Sequence, residues 1–228
     1  MQEFRPSRFQ VLPPIVKNII IISGLMFFAQ NTLPNLDINL NNILALHTWQ
    51  SQLFKPWQIV THIFMHASIT HLVFNMLAIW MIGSVLENLW GPKRFLIFFI
   101  TCGLGAAFAH LCALYVESSK YISLFNLGGL SLGDLNIILN NPTVGASGAV
   151  FGCLAAFAYL FPNTYLYFYF FFPIKAKWFV FIYGALELYL AIQNSPTDPI
   201  AHIAHLGGGL MGFLLVWFWN KNNKQTFY

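Results

Sequence analysis

Two residues in this chain have the chemistry of a hydrolase if they meet. Ser147 lies in Thr143-Val144-Gly145-Ala146-Ser147-Gly148-Ala149-Val150-Phe151-Gly152, and His205 lies in Ala204-His205-Leu206-Gly207-Gly208-Gly209-Leu210-Met211-Gly212. A serine hydroxyl is a weak nucleophile until a base takes its proton, and a neutral imidazole is the usual base. Each residue sits in a run of small side chains, with Gly148 and Gly152, and Gly208 and Gly212, four apart. That spacing lets two helices approach to backbone distance, which a direct hydroxyl–imidazole bond requires. Taken singly, either run also fits a packing seam, with the serine bonding back to its own helix. Pro142 biases Asn141 away from helical geometry, so a helix is expected close behind it with Ser147 about one turn inside.

His71 and Asn75 are four apart and share one helix face. Side-chain donors near a helix N-terminus suit a developing oxyanion; their alternative role is to hold a bundle together by interhelical hydrogen bonds. His66 is expected to order the loop before them, and His47, His62 and His110 carry no evident chemistry.

The elements that must position these groups are membrane helices. The chain is 57% hydrophobic and 18% aromatic, and only 8% of its 228 residues are charged, against about 25% in soluble domains. Cys102, Cys112 and Cys153 are odd in number, fall inside apolar runs and have no metal-ligand spacing. The net charge of +4 is scattered in ones and twos, which excludes a nucleic-acid face and points to membrane orientation. Arg5, Arg8 and Lys17 lead into a full-length apolar span rather than a cleavable signal.

Apolar runs predict an all-α membrane protein, a six-helix bundle with spans at about 15–33, 69–90, 95–116, 144–161, 178–193 and 200–219. Residues 34–56 read as an interfacial loop with short amphipathic helices, 117–141 as a connection with room for one short helix, and 165–172 as an aromatic interfacial belt. Arg5, Arg8, Lys17, Lys93, Arg94, Lys175, Lys177, Lys221 and Lys224 then fall on one side, with Lys55 and Lys120 on the other. The basic side is the cytoplasmic one, so both termini are expected inside. The expected organisation is a cytoplasmic segment 1–14, a membrane domain 15–219 and a cytoplasmic tail 220–228. In this topology the second, fourth and sixth spans run parallel, which puts His71, Asn75, Ser147, His202 and His205 in one layer, about 5 to 12 Å below the outer boundary.

His66-x4-His71-x3-Asn75, Gly145-Ala146-Ser147-Gly148 and the Ala-His-x-x-Gly-x-x-x-Gly run through His205, Gly208 and Gly212, in this order on alternate spans, resemble the rhomboid intramembrane serine proteases. The resemblance covers roughly residues 15–219. It implies a six-helix rhomboid fold and a serine–histidine dyad lacking the aspartate of the usual triad, with Ser147 as nucleophile and His205 as base. His71, Asn75 and the Ser147 backbone N–H would face the oxyanion. Phe151 matches an aromatic position that packs on the catalytic imidazole, often Tyr in the family, so a hydroxyl contact is lost here. Glu87 matches a glutamate that ties helix ends together. Only His205, not His202, has the glycines at +3 and +7; His202 is given a secondary role near the water access. The substrates implied are transmembrane proteins cut near the outer end of a helix, with no metal or cofactor; the compact six-span form, rather than the resemblance, points to a bacterial inner membrane.

Three rivals remain at this level. A zinc hydrolase or transporter would gather His66, His71, His202 and His205, but there is no HExxH, and Glu87 and Glu187 read as too far along their helices to join the histidine layer. A non-catalytic rhomboid-like protein would bind membrane segments without cutting them. A channel or carrier would use Glu187, a costly intramembrane charge for which the sequence offers no partner.

Overall fold

The computed structural model describes residues 9–168, 172–193 and 201–222. Arg5, Arg8, Lys224 and residues 194–200 lie outside them. Helix α1 (Pro14–Thr32) starts on a proline, whose missing N–H costs nothing at that position, and ends in a 3-10 turn, Leu33–Leu36. The interfacial segment holds α2 (Leu40–Leu44), capped by the Asn39 side chain, and α3 (Gln58–Thr61), which runs into a 3-10 turn, His62–Phe64. Helix α4 (Ile69–Ala78) is capped by Ser68 and passes through a π-helical turn, Ile79–Gly83, into α5 (Ser84–Trp90). The span expected at 69–90 is therefore continuous.

Helix α6 (Pro92–Asn126) is 35 residues long and α7 (Leu132–Leu139) follows it, so most of the expected 117–141 connection is helical. Helices α8 (Ser147–Leu160), α9 (Ala176–Gln193) and α10 (His202–Asn222) complete the bundle. Between α8 and α9 the expected aromatic belt is instead an antiparallel hairpin, β1 (Tyr165–Phe168) on β2 (Phe172–Lys175), with Tyr165 opposite Lys175. Aromatic residues are good strand formers, and pairing satisfies backbone groups that an open loop would leave bare near lipid. Residues 169–171 between the strands fall outside the described residues.

Among the described residues, four helices are long and apolar enough to cross a membrane: Pro14–Leu36, Ile69–Trp90, Pro92–Asn126 and His202–Lys221. Helix α9 is 18 residues long and carries Lys177 and Glu187. Helix α8 has only 14 residues, roughly 21 Å. It is buried on all sides, from Gly148 to Ala158, and packs on α6 and α10. Peripheral α1 buries only Val16, Ile19 and Ser23. The core between them is built on Phe95, Phe98 and Phe99 of α6.

The Glu87 carboxylate accepts the Ile15 and Val16 backbone N–H groups at 2.9 and 2.8 Å. It thus caps α1, where Pro13 offers no side chain to do so, and an anion there also meets the positive end of the helix dipole. The start of α1 and the end of α5 therefore lie on the same face. On that face too, Arg94 stacks over Trp219 at 4.2 Å, the Lys177 N–H donates to Pro162, and Asn220 donates to the Tyr159 hydroxyl. The basic residues that the alternation rule groups together, Lys17, Lys93, Arg94, Lys175, Lys177 and Lys221, thus gather at one end. At the other end Gln50 donates to Ser119, next to Lys120.

Candidate active site

The chain entering α8 is anchored residue by residue. Thr143 and Leu46 exchange backbone hydrogen bonds of 2.8 and 2.9 Å, His110 Nε2 meets Thr143 Oγ1 at 2.9 Å, and the Gly145 N–H donates to the His62 carbonyl at 3.0 Å. His62 and His110, which the sequence left without a role, are thus supports of this loop. Gly145 has φ +133°, and a side chain there would meet His71 Cε1 at 2.7 Å. Only glycine suits both the conformation and the space. This turn, rather than Pro142, decides where the helix starts. Ala146 is the N-cap and Ser147 is the first helical residue, not one turn inside as expected. The backbone N–H groups of Ser147 and Gly148 are consequently among those a helix start leaves without an intrahelical acceptor.

His205 is the fourth residue of α10. A Cβ on Gly212 would lie 2.5 Å from the Gly152 carbonyl oxygen, and one on Gly208 would overlap the Gly148 carbonyl. The two glycine seams therefore face one another at backbone contact. They bring Ser147 Oγ to 2.8 Å from His205 Nε2. Phe151, one turn beyond the serine, lies parallel to the imidazole at 4.4 Å between ring centroids and 8° between planes. His205 is buried and Ser147 half-buried, with a cavity of about 20 Å³ beside the hydroxyl, lined by His62, His110, Thr143, Gly145 and Ala204. That is room for a water molecule.

His71 reaches the same turn, because the point that a Gly145 side chain would occupy is 2.8 Å from His71 Nε2 and 3.6 Å from Ser147 Oγ. Its ring packs edge-on against buried His66, with centroids 5.1 Å apart. Asn75, a turn further along that face and buried, donates one amide N–H to the His71 carbonyl at 3.0 Å. An amide nitrogen carries two hydrogens, so one donor is committed to its own helix.

Glu187 overturns the expectation that no carboxylate reaches the histidine layer. Its Oε2 lies 3.0 Å from His205 Nδ1 and 2.6 Å from His202 Nδ1, all three residues being buried. His202, expected near the water access, is instead a neighbour of this carboxylate. Helix α9 runs antiparallel to α8 and α10, so depth on it counts back from Gln193. Glu187 is six residues from that end, or about 9 Å. Counted from the correct end, the sequence already put it at the level of Ser147 and His205. One ligand atom from each of Glu187, His202 and His205 lies within 4.8 Å of the others, close enough to hold a metal ion. The two short separations, however, are those of hydrogen bonds rather than of ligands around a shared ion.

The rhomboid domain profile matches residues 53–222. The chain is 32% identical over 163 residues to rhomboid protein 1, mitochondrial, of Saccharomyces cerevisiae, covering 72% of this chain and 42% of that one. It is 29% identical over 174 residues to the rhomboid protease GluP of Bacillus subtilis, covering 76% of this chain and 26% of that one. It is also 27% identical over 167 residues to the rhomboid protease AarA of Providencia stuartii, covering 70% and 54%. The chain thus spans less than half the length of the first two relatives. The matched region contains Ser147, His205, His71, Asn75, Glu187 and His202, on helices that form a membrane bundle, and the chain belongs to the rhomboid family.

Proposed function

We propose that this chain is an intramembrane serine endopeptidase that hydrolyses peptide bonds in or next to transmembrane helices of other membrane proteins. The observation that carries this reading is the 2.8 Å separation of Ser147 Oγ and His205 Nε2, with Phe151 stacked on the imidazole. In the proposed reaction Nε2 takes the hydroxyl proton as Oγ bonds to the substrate carbonyl carbon. The C–N bond then breaks, the amine leaves with that proton, and water deprotonated by the same nitrogen releases the acyl group. The oxyanion would be met by the backbone N–H groups of Ser147 and Gly148, with His71 and the second Asn75 N–H as side-chain donors. A substrate helix must unwind locally to offer a carbonyl, because its own are hydrogen-bonded internally.

The membrane domain is taken as residues 15–219, flanked by 1–14 and 220–228 on the basic side. By the charge rule that side is the cytoplasm, and the membrane proposed from the compact six-span form is a bacterial inner membrane. The test is cleavage of a transmembrane substrate in liposomes. Ser147→Ala and His205→Ala should each abolish turnover while the protein still melts cooperatively. Undiminished cleavage by the Ser147→Ala variant would refute the reading.

A further inference from the structure

We infer that Glu187 is a positioning residue that converts the serine–histidine pair into a Ser147–His205–Glu187 array, with its carboxylate fixing the imidazole through Nδ1. The inference rests on the protease reading and adds a third member to it. The imidazole has one nitrogen at each end of a chain of contacts: Nε2 at 2.8 Å from the serine hydroxyl and Nδ1 at 3.0 Å from Glu187 Oε2. An ionised carboxylate only accepts hydrogen bonds, so the ring proton belongs on Nδ1. Nε2 is then left with a lone pair directed at the hydroxyl, the tautomer that general-base catalysis needs.

Three further contacts hold this arrangement. His202 Nδ1 at 2.6 Å fixes the carboxylate oxygen from its other side. Phe151 confines the ring plane. Tyr183, one helical turn before Glu187, packs on Phe151 with centroids 4.8 Å apart and registers α9 against α8. When Nε2 gains the serine proton, the Nδ1 proton stays in place and the imidazolium faces a buried counter-charge. Glu187 itself is not protonated in the step.

The test compares the 228-residue parent with Glu187→Gln and Glu187→Asp in liposomes on a transmembrane substrate. Gln keeps the shape but removes the charge, and its amide can also donate to Nδ1 and favour the wrong tautomer. The expected loss in kcat is about 10²-fold with KM within twofold. That is less than the roughly 10⁴-fold known for triads, because the Phe151 stack still orients the ring. Glu187→Asp should recover about tenfold of the loss. A purely structural Glu187 would instead lower the melting temperature of both variants alike and leave kcat per folded molecule unchanged, which would overturn the proposal.

A second readout does not need turnover. In the Ser147→Ala background with ¹⁵N-labelled histidine, the downfield Nδ1 proton signal that His205→Ala removes, distinct from that of His202 on the same oxygen, should be abolished by Glu187→Gln. A signal unaltered by Glu187→Gln would overturn the proposal. A parent that never cleaves would sink the protease reading, whereas a downfield signal lost on Glu187→Gln would still support the hold of Glu187 on His205. Parental cleavage abolished by phenanthroline and restored by zinc would overturn the array in favour of a metal held by Glu187, His202 and His205.

Discussion

The site depends on two helices touching at their backbones, and Gly212→Ala tests that directly. A Cβ at position 212 would sit 2.5 Å from Gly152 O and 2.6 Å from Gly152 Cα, whereas ordinary contact begins at 3.4 Å. The obstacle is main chain, which cannot rotate away as a side-chain tip would. Helices α8 and α10 must therefore part by about 0.9 Å. If α10 moves as a rod, the 2.8 Å Ser147–His205 separation opens to about 3.7 Å, beyond hydrogen-bonding reach. Overpacking of this kind costs about 1–3 kcal/mol in stability. A misplacement near 1 Å costs about 10²-fold in rate. Gly184→Ala is the control, since a side chain there meets nothing within 4 Å and should gain up to about 1 kcal/mol as a better helix former. The assays are thermal melting in detergent and kcat on a transmembrane substrate. Parental cleavage by Gly212→Ala, or an equal effect of both alanines on the rate, would show that backbone contact at Gly212 does not set the Ser147–His205 separation.

Two other predictions concern the surroundings of the pair. Asn75→Ala should lower kcat by about 10²-fold with KM little changed, as expected for a donor used only in the transition state; an unaltered kcat would remove Asn75 from the oxyanion site. His62 lies between α3 and α4, outside the spans, and burial lowers its imidazole pKa from the ordinary 6.5 to about 4. The folded state therefore disfavours the proton, so the stability carried by neutral His62 is whole above pH 6.5 and drains as pH falls to about 4. His62→Gln, whose amide can still donate to the Gln58 carbonyl that His62 Nδ1 meets at 2.8 Å, should flatten that limb of melting temperature against pH. An identical slope in parent and variant would contradict this.

The glycine runs made the Ser147–His205 meeting legible, because a spacing of four on two apolar helices has few uses other than backbone contact. Spans were legible for the same reason that hydropathy works at all: lipid allows only satisfied backbones. What escaped depended on direction and on local turn geometry. Glu187 reads as distant when depth along α9 is counted from its N-terminal end, although alternation of spans reverses that helix. The start of α8 escaped because the positive φ of Gly145 and the Thr143–Leu46 bridge join segments almost 100 residues apart in sequence, a pairing no local pattern encodes. The hairpin after α8 escaped because an aromatic run fits an interface and a strand equally well.

The short central helix connects the fold to access by water. At roughly 21 Å, α8 falls about 9 Å short of a 30 Å hydrocarbon core, and the loop 142–146 lies at its Ser147 end. Irregular backbone at such depth is permitted only where protein or an aqueous cavity surrounds it. Here Leu46 and His62 supply that protein, so in the proposed topology the Ser147 hydroxyl would lie below the lipid surface yet face the side of Lys55 and Lys120 rather than the basic side. In liposomes, a thiol introduced by Ser147→Cys should react with a membrane-impermeant methanethiosulfonate added on the Lys55 and Lys120 side only. Cys102 and Cys153 are buried, and exposed Cys112 would be replaced by serine beforehand. Reaction from the opposite side, or none from either, would show that the α8 start does not open to water where the anchored loop requires it to.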